Sequence, residues 1–402
     1  MKTPNAAQKG RQVIDMTNFV AKRISDLPAS GIRKFFDIAS QMEDMVSLGV
    51  GEPDFLTPMH IRKEAIYTLE HRNTRYTANN GLLELREEVS RYTEGVCGHS
   101  YDPETQVLIT VGASEGIDII LRAVLNPGDE VLVPEPSFVS YKPCVTMAGG
   151  VPIAVPTKAE NAFRVKAEEL AAHITPRTRI LILNYPNNPT GAILEREDLE
   201  PIAALLREHE NILVITDEIY AELTYTNTPH ASILSLPGMA ERSVLLNGFS
   251  KAYSMTGWRL GYACGPRAII EAMTKIHQYI VMCAPTIAQY AAIEALRHGA
   301  TSVAEMRDEF NNRRRYLLDA FAGMGMDCFE AQGAFYLFPS IKQFGLSSEE
   351  FCNRILQKER LAVVPGVAFG DSGEGHIRCS YAYSIDNIKE AVRRLERFIQ
   401  GL

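Results

Sequence analysis

The sequence lacks any paired cysteine chemistry. Its seven cysteines (Cys97, Cys144, Cys264, Cys283, Cys328, Cys352, Cys379) are scattered, odd in number and form no CxxC pair. That argues against a disulfide framework or a structural zinc and fits a reducing compartment. The nine histidines show no HExxH or paired spacing, so no metal site is expected. No run approaches the ~20 apolar residues of a membrane span, and Met1–Val20 is polar and mixed in charge, without a signal-peptide core. Long basic blocks are missing too. The net charge is −8, and the densest basic run, Arg313-Arg314-Arg315, reads as a solvated helix face, so nucleic acid is not an expected partner. These absences lead to the expectation of a cytoplasmic protein with no membrane partner.

What is present is an ordinary globular composition, 46% hydrophobic and 22% charged over 402 residues, long enough for two domains. Between about residues 105 and 265, short apolar strands alternate with helical patterns, which predicts an α/β fold with a mostly parallel central sheet. Val107–Val111, Glu130–Val133, Arg179–Leu183, Ile212–Ile215 and Ser243–Leu246 are the strand candidates, several of them apolar throughout and so expected to be buried on both faces. Arg267–Val281 has a helical pattern. Beyond about 300, charged helices mix with candidate strands at Gly333–Phe338 and His376–Ser380. We expect a large domain over 50–285 and a smaller α+β domain built discontinuously from 1–49 and 286–402, with the first fifteen or so residues as a loose arm.

The chemistry-bearing residues fall just after strands, where ligands sit in open α/β sheets. In Gly248-Phe249-Ser250-Lys251, a lysine follows an apolar strand, has small neighbours, and is trailed eight positions later by Arg259. A lysine is nucleophilic only when unprotonated, and burial near positive charge lowers its pKa from about 10.4. Small neighbours admit a planar cofactor and an arginine holds a phosphate. These are the requirements of a Schiff-base lysine for pyridoxal phosphate (PLP). Asp217 ends the run Ile212–Asp217, where a carboxylate needs a partner unless it merely caps a helix. Paired at ~4 Å with a pyridine nitrogen, it is worth roughly 4 kcal/mol, or about three pKa units, at an effective dielectric near 20. Tyr220, three residues on, either donates to the phenolate oxygen of such a ring or packs in the core. Gly112-Ala113-Ser114 opens a helix whose free N–H groups suit an anion, and with Ser250 and Arg259 it completes a phosphate cup. Asn184–Gly191 reads by itself as a turn, Phe138 as a core aromatic and Arg378 as a surface ion pair.

Taken in order, Gly51, Tyr76, Gly112, Phe138, Asn188, Asp217, Tyr220, Lys251, Arg259 and Arg378 resemble the signature set of the class I/II aminotransferases, the fold-type I PLP enzymes. Ile32–Phe36 and Met255–Arg259 are most similar to the bacterial and archaeal branch that contains aspartate, aromatic and N-acetyl-diaminopimelate aminotransferases. The resemblance implies PLP on Lys251, with Asp217 on the ring nitrogen and Asn188 and Tyr220 on the phenolate oxygen. It implies Phe138 stacked on the ring, and Ala113, Ser114, Ser250 and Arg259 on the phosphate. Arg378 and Gly51, with Asn188 beside them, bind the substrate carboxylate. Tyr76 reaches the phosphate of a neighbouring subunit, hence a homodimer. The implied reaction is a ping-pong transamination from an L-amino acid of aspartate or aromatic type to a 2-oxo acid, with 2-oxoglutarate the expected acceptor. The sequence departs from the family at Gly248, where many members carry a Ser or Thr that binds phosphate.

Three other readings compete with this one. A PLP lyase running β-elimination on the same scaffold is the alternative, since fold does not fix reaction. A PLP-sensing regulator needs an N-terminal DNA-binding module, for which only about 30 residues are left. A nicotinamide oxidoreductase needs a GxGxxG after a first strand, and there is none.

Overall fold

The apolar runs of the sequence pair into one seven-stranded sheet. The computed structural model describes residues 16–27, 42 and 44–402; the Ile32–Phe36 motif and the N-terminal arm lie outside them. The strands in chain order are β1 (Val46–Ser47), β2 (Val107–Thr110), β3 (Glu130–Glu135), β4 (Val151–Pro156), β5 (Thr178–Asn184), β6 (Leu213–Asp217), β7 (Ser243–Gly248), β8 (Gly261–Cys264), β9 (Tyr336–Leu337), β10 (Leu361–Ala362), β11 (Val364–Pro365) and β12 (Ile377–Ser380). The central sheet runs β2-β8-β7-β6-β5-β3-β4. Only β8 is antiparallel to its neighbours. The sheet is the mostly parallel α/β arrangement expected. β2, β3 and β7 are buried along their whole length, which is why they read as unbroken apolar runs rather than alternating ones.

Register fixes the site. Asn184 at the end of β5 stands beside Asp217 at the end of β6, and Gly248 at the end of β7 faces Gly261 at the start of β8. The crossover helix Gly112–Val124 begins directly after β2 and packs on the sheet and on the helix Arg267–Ile280. Gly112 has φ +74°, and a methyl group there would come within 2.7 Å of the Arg259 guanidinium, so glycine lets the helix start and the arginine approach.

A second core gathers Val46 and Leu48 with Phe310, Phe335, Leu361 and Ile388. Its strands form a three-stranded antiparallel sheet, β11-β12-β9, and a parallel pair, β1-β10. The C-terminal helix Ile385–Gln400 buries Ile388, Ala391, Val392, Leu395 and Phe398, a single stripe at helical spacing, and Ser384 caps its start. The helix Thr286–His298 packs instead on Met59–His71 and Leu83–Cys97, beside the central sheet.

Two expectations are corrected. The Gly333–Phe338 strand shrinks to Tyr336–Leu337, with Gly333 forming an isolated bridge to Thr224. Arg313 and Arg314 are not a solvated face. Both are buried, because Asp54 and Glu309 pair with Arg313, and Glu330 with the Ala331 carbonyl takes Arg314. Among the described residues, no helix is long and apolar enough to cross a membrane.

Candidate active site

The carboxyl ends of β5, β6 and β7, the start of the Gly112–Val124 helix and β12 of the second core surround a cavity of about 590 Å³. Asp217, Tyr220, Asn188, Ser250 and Lys251 line it. So do Ala113, Ser114, Phe138 and Arg259, and, from the other side, Gly51 and Arg378. Tyr76 does not. It is 79% exposed and sits at a separate hollow with Val111 and Cys283–Thr286.

Lys251 stands just past β7, and its Nζ donates to the Gly51 carbonyl at 2.7 Å. Among the described residues no carboxylate lies within ion-pair distance of that amine. Burial lowers its pKa to about 8; Arg378 and Arg259 push the same way, against Glu52 and Asp217. Asp217 behaves oppositely. Burial raises its carboxyl to about 6, although the Tyr141 hydroxyl (2.8 Å) and the Ile219 N–H (3.2 Å) both donate to it. The acid is held by neutral donors and the amine by a carbonyl and the ring faces of Tyr220 and Phe335, and neither has a counter-ion.

Arg378, read from the sequence as a surface residue unless the resemblance holds, is 4% exposed. Its Nη1 donates to Asn188 Oδ1 at 2.8 Å and its Nη2 to the Gly49 carbonyl at 2.5 Å, while Nε is buried with no partner. Its guanidinium lies over the rings of Tyr336 and Phe369, at 4.5 and 4.7 Å. Arg259 has a left-handed backbone (φ 56°) that turns its side chain back toward the Gly112 turn, where Nη1 donates to the Thr256 carbonyl at 2.8 Å. No carboxylate among the described residues pairs with it. The arginine, the helix start and Ser250 thus present positive potential and free donors at one end of the cavity.

Three lining residues escaped the sequence reading. Tyr141 donates to Asp217, Asn184 donates to the Asp217 carbonyl at 3.1 Å and accepts from the Asn188 N–H, and Tyr336 meets Tyr220 hydroxyl to hydroxyl at 2.9 Å. Asn184 had a signal, because it ends a strand in the turn that was singled out. The two tyrosines had none, since a tyrosine after a strand usually packs.

The departure at Gly248 has a steric cause. A β-carbon there would lie 2.9 Å from both Gly261 Cα and the Leu260 carbonyl oxygen, so a side chain would require the close β7–β8 pairing to shift.

Comparison with known proteins agrees with this geometry. The family model described as aminotransferase class I and II matches residues 43–395. An aromatic-amino-acid aminotransferase of Thermococcus litoralis is 44% identical over 383 residues, covering 95% of this chain and 98% of its own. An aspartate aminotransferase of Pyrococcus abyssi is likewise 44% identical, over 95% of this chain and 98% of its own. The crystal structure of an aromatic aminotransferase from Pyrococcus horikoshii superposes with a TM-score of 0.87 at 44% identity, covering 92% of this chain and 99% of that one. The fold is that of the fold-type I aminotransferases, and the chain belongs to the class I and II aminotransferase family, as a transaminase.

Proposed function

We propose that this aminotransferase carries PLP on Lys251 and moves the amino group of an L-amino acid, aspartate or aromatic in type, to 2-oxoglutarate. The observation that carries the reading is a pair of buried groups without counter-ions in one cavity, the Lys251 amine, held by the Gly51 carbonyl and lowered to about 8, and the Asp217 acid, held by neutral donors and raised to about 6. A cofactor that forms a Schiff base with the amine and offers a cationic ring nitrogen to the acid satisfies both at once. The remaining donors fit the same group. Ala113, Ser114, Ser250 and Arg259 hold its phosphate, Phe138 covers its ring face, and Asn188 and Tyr220 serve its phenolate oxygen. With a side chain at Gly248 disfavoured by the β7–β8 backbone, Ser250 and the helix start take the contact that other members draw from that position.

Bound there, PLP supplies an electron sink for the charge that develops at the substrate Cα. The chain does the rest. Arg378 grips the substrate α-carboxylate, with its free Nε–H and the backbone at Gly51 as the added donors. Asp217 keeps the ring nitrogen protonated. Lys251 would be the group that moves the proton at the substrate Cα, a transfer suited to an amine lowered to about 8.

The reading includes a homodimer in the cytoplasm, with Tyr76 reaching the partner's phosphate site. Support comes from the exposed run Tyr279, Ile280, Val281 and Met282. Asn79 donates to the Met282 carbonyl and Thr286 to the Arg75 carbonyl, so the Tyr76 loop is tied to that run.

Borohydride reduction of the loaded protein, followed by peptide mapping, should find a pyridoxyl group on the Lys251 peptide; its absence overturns the proposal. One amino acid without acceptor should convert the cofactor to its amine form and release the matching 2-oxo acid. Release of ammonia with pyruvate indicates the lyase instead. A screen of single amino acids against 2-oxoglutarate identifies the donor.

A further inference from the structure

Tyr336 has no place in the roles above, yet it touches both halves of the cavity. It lies on β9 of the second core, is 1% exposed, and lines the cavity wall. Its hydroxyl is 2.9 Å from that of Tyr220, which follows β6 of the central sheet. Its ring lies under the Arg378 guanidinium. Gly51 rests against the same phenol, so closely that a methyl group there would strike the hydroxyl. One side chain thus contacts the arginine, the backbone and the phenol to which we assign carboxylate and ring-oxygen binding.

The direction of the hydroxyl pair follows from proton counting. Each phenol has one proton to give. Burial pushes both phenols upward, so both are protonated at neutral pH. An anionic ring oxygen beside Tyr220 is a stronger acceptor than a neutral phenol, so Tyr220 gives its proton to the cofactor. The contact with Tyr336 is then kept only if Tyr336 donates to Tyr220. A hydroxyl that accepts one hydrogen bond donates a stronger one.

We propose that Tyr336 is a positioning residue: its hydroxyl fixes Tyr220 as a donor to the cofactor's ring oxygen, and its ring seats Arg378. The inference rests on the PLP reading of the cavity. A donor on the ring oxygen drains negative charge that would otherwise hold the proton on the neighbouring Schiff-base nitrogen. Weakening that donor raises the pH at which the nitrogen titrates, and the visible spectrum of the loaded protein reports it without turnover.

The experiment compares Tyr336→Phe, Tyr336→Leu and Tyr220→Phe with the parent protein, each loaded with PLP. Tyr336→Phe should raise the spectral midpoint by about half a pH unit, and Tyr220→Phe should raise it further. Tyr336→Phe keeps the ring under Arg378 and should leave the KM for the amino acid within about twofold of the parent, whereas Tyr336→Leu should raise it about tenfold. An unmoved or lowered midpoint in Tyr336→Phe, with Tyr220→Phe raised, overturns the inference and leaves the PLP reading standing. A KM that rises equally in Tyr336→Phe and Tyr336→Leu also overturns it, because the ring is then not the seat. A parent protein with no titrating visible band overturns the PLP reading, and this inference with it. Melting temperatures of the cofactor-free forms separate misfolding of Tyr336→Leu from loss of the seat.

Discussion

The cavity has a floor and a roof that are built by different means. The floor residues follow strands of one parallel sheet, and each is placed by a few residues of local chain: Asp217 ends β6, Lys251 comes three residues after β7, and Ala113 three after β2. The roof is assembled across the chain. Arg378 in β12 reaches the Gly49 carbonyl, Ser380 N–H donates to the Leu48 carbonyl at 2.7 Å, and Tyr336 joins from β9. The floor leaves an amine and an acid, Lys251 and Asp217, held only by neutral groups, whereas the roof fixes its arginine with the Gly49 carbonyl, the Asn188 amide oxygen and two aromatic faces and leaves one N–H, Nε, unpartnered. The floor is therefore poised to react and the roof to bind.

Breaking the floor should cost most. Lys251→Ala removes the group to which we assign both the anchor and the base, and kcat is expected to fall by at least about 10⁴. Steady-state kinetics with saturating PLP checks this; a loss of tenfold or less assigns the proton transfer elsewhere.

The same buried charges should weaken the cofactor-free protein over a defined pH window. Asp217 is raised from 3.8 to about 6, so between those values the folded chain keeps a proton that the unfolded chain has released. Stability therefore falls as pH rises toward 6. Lys251 is lowered from 10.5 to about 8, so above 8 the unfolded chain holds the extra proton and stability recovers with rising pH. Between about 6 and 8 both groups are charged, and each costs about 3 kcal/mol. Asp217→Asn should stabilise the cofactor-free protein by up to that amount at pH 7, with little effect at pH 4. Denaturant unfolding across pH tests it, and parallel curves for parent and variant refute it.

For the roof, Arg378→Lys keeps the charge and loses the fork. We expect kcat/KM to drop about 10- to 100-fold, mostly through KM, in line with roughly 1.5–3 kcal/mol for a hydrogen bond to a charged group. If kcat falls and KM does not, the roof takes part in the chemistry and the contrast with the floor fails.

The contrast also explains what was legible in the sequence. Floor residues announce themselves, because an apolar run followed by a polar or small residue marks both the strand and its mouth. Lys251, Asp217 and the Gly112 turn stand out in that way, whereas Asn188 reads as part of a turn until the family resemblance picks it out. Arg378 carried no such mark, and its alternating strand suggested a surface until the family resemblance reassigned it. Tyr336 is 116 residues from Tyr220, and Tyr141 is 76 residues from Asp217. No periodicity connects such pairs; only the folded register does. Arg313 and Arg314 misled for the same reason, since their burial depends on Asp54, Glu309 and Glu330 arriving from elsewhere along and beyond the helix.

Gly248 offers the finest test of how tightly the floor is built. If the glycine merely reflects a lost phosphate ligand, Gly248→Ser should restore a contact and tighten PLP binding. The structure argues the reverse. The serine β-carbon would meet the Gly261 Cα and the Leu260 carbonyl, both backbone, and neither can move without opening the β7–β8 pairing. Gly261 has no room on its other side either, since a β-carbon there would lie 2.6 Å from the Ala113 nitrogen, so that movement would reach the helix start to which we assign the phosphate. We expect a stability loss of about 1 kcal/mol and weaker retention of PLP, measured by unfolding and by equilibrium dialysis. Tighter binding with unchanged stability would mean that the floor is looser than its strands indicate.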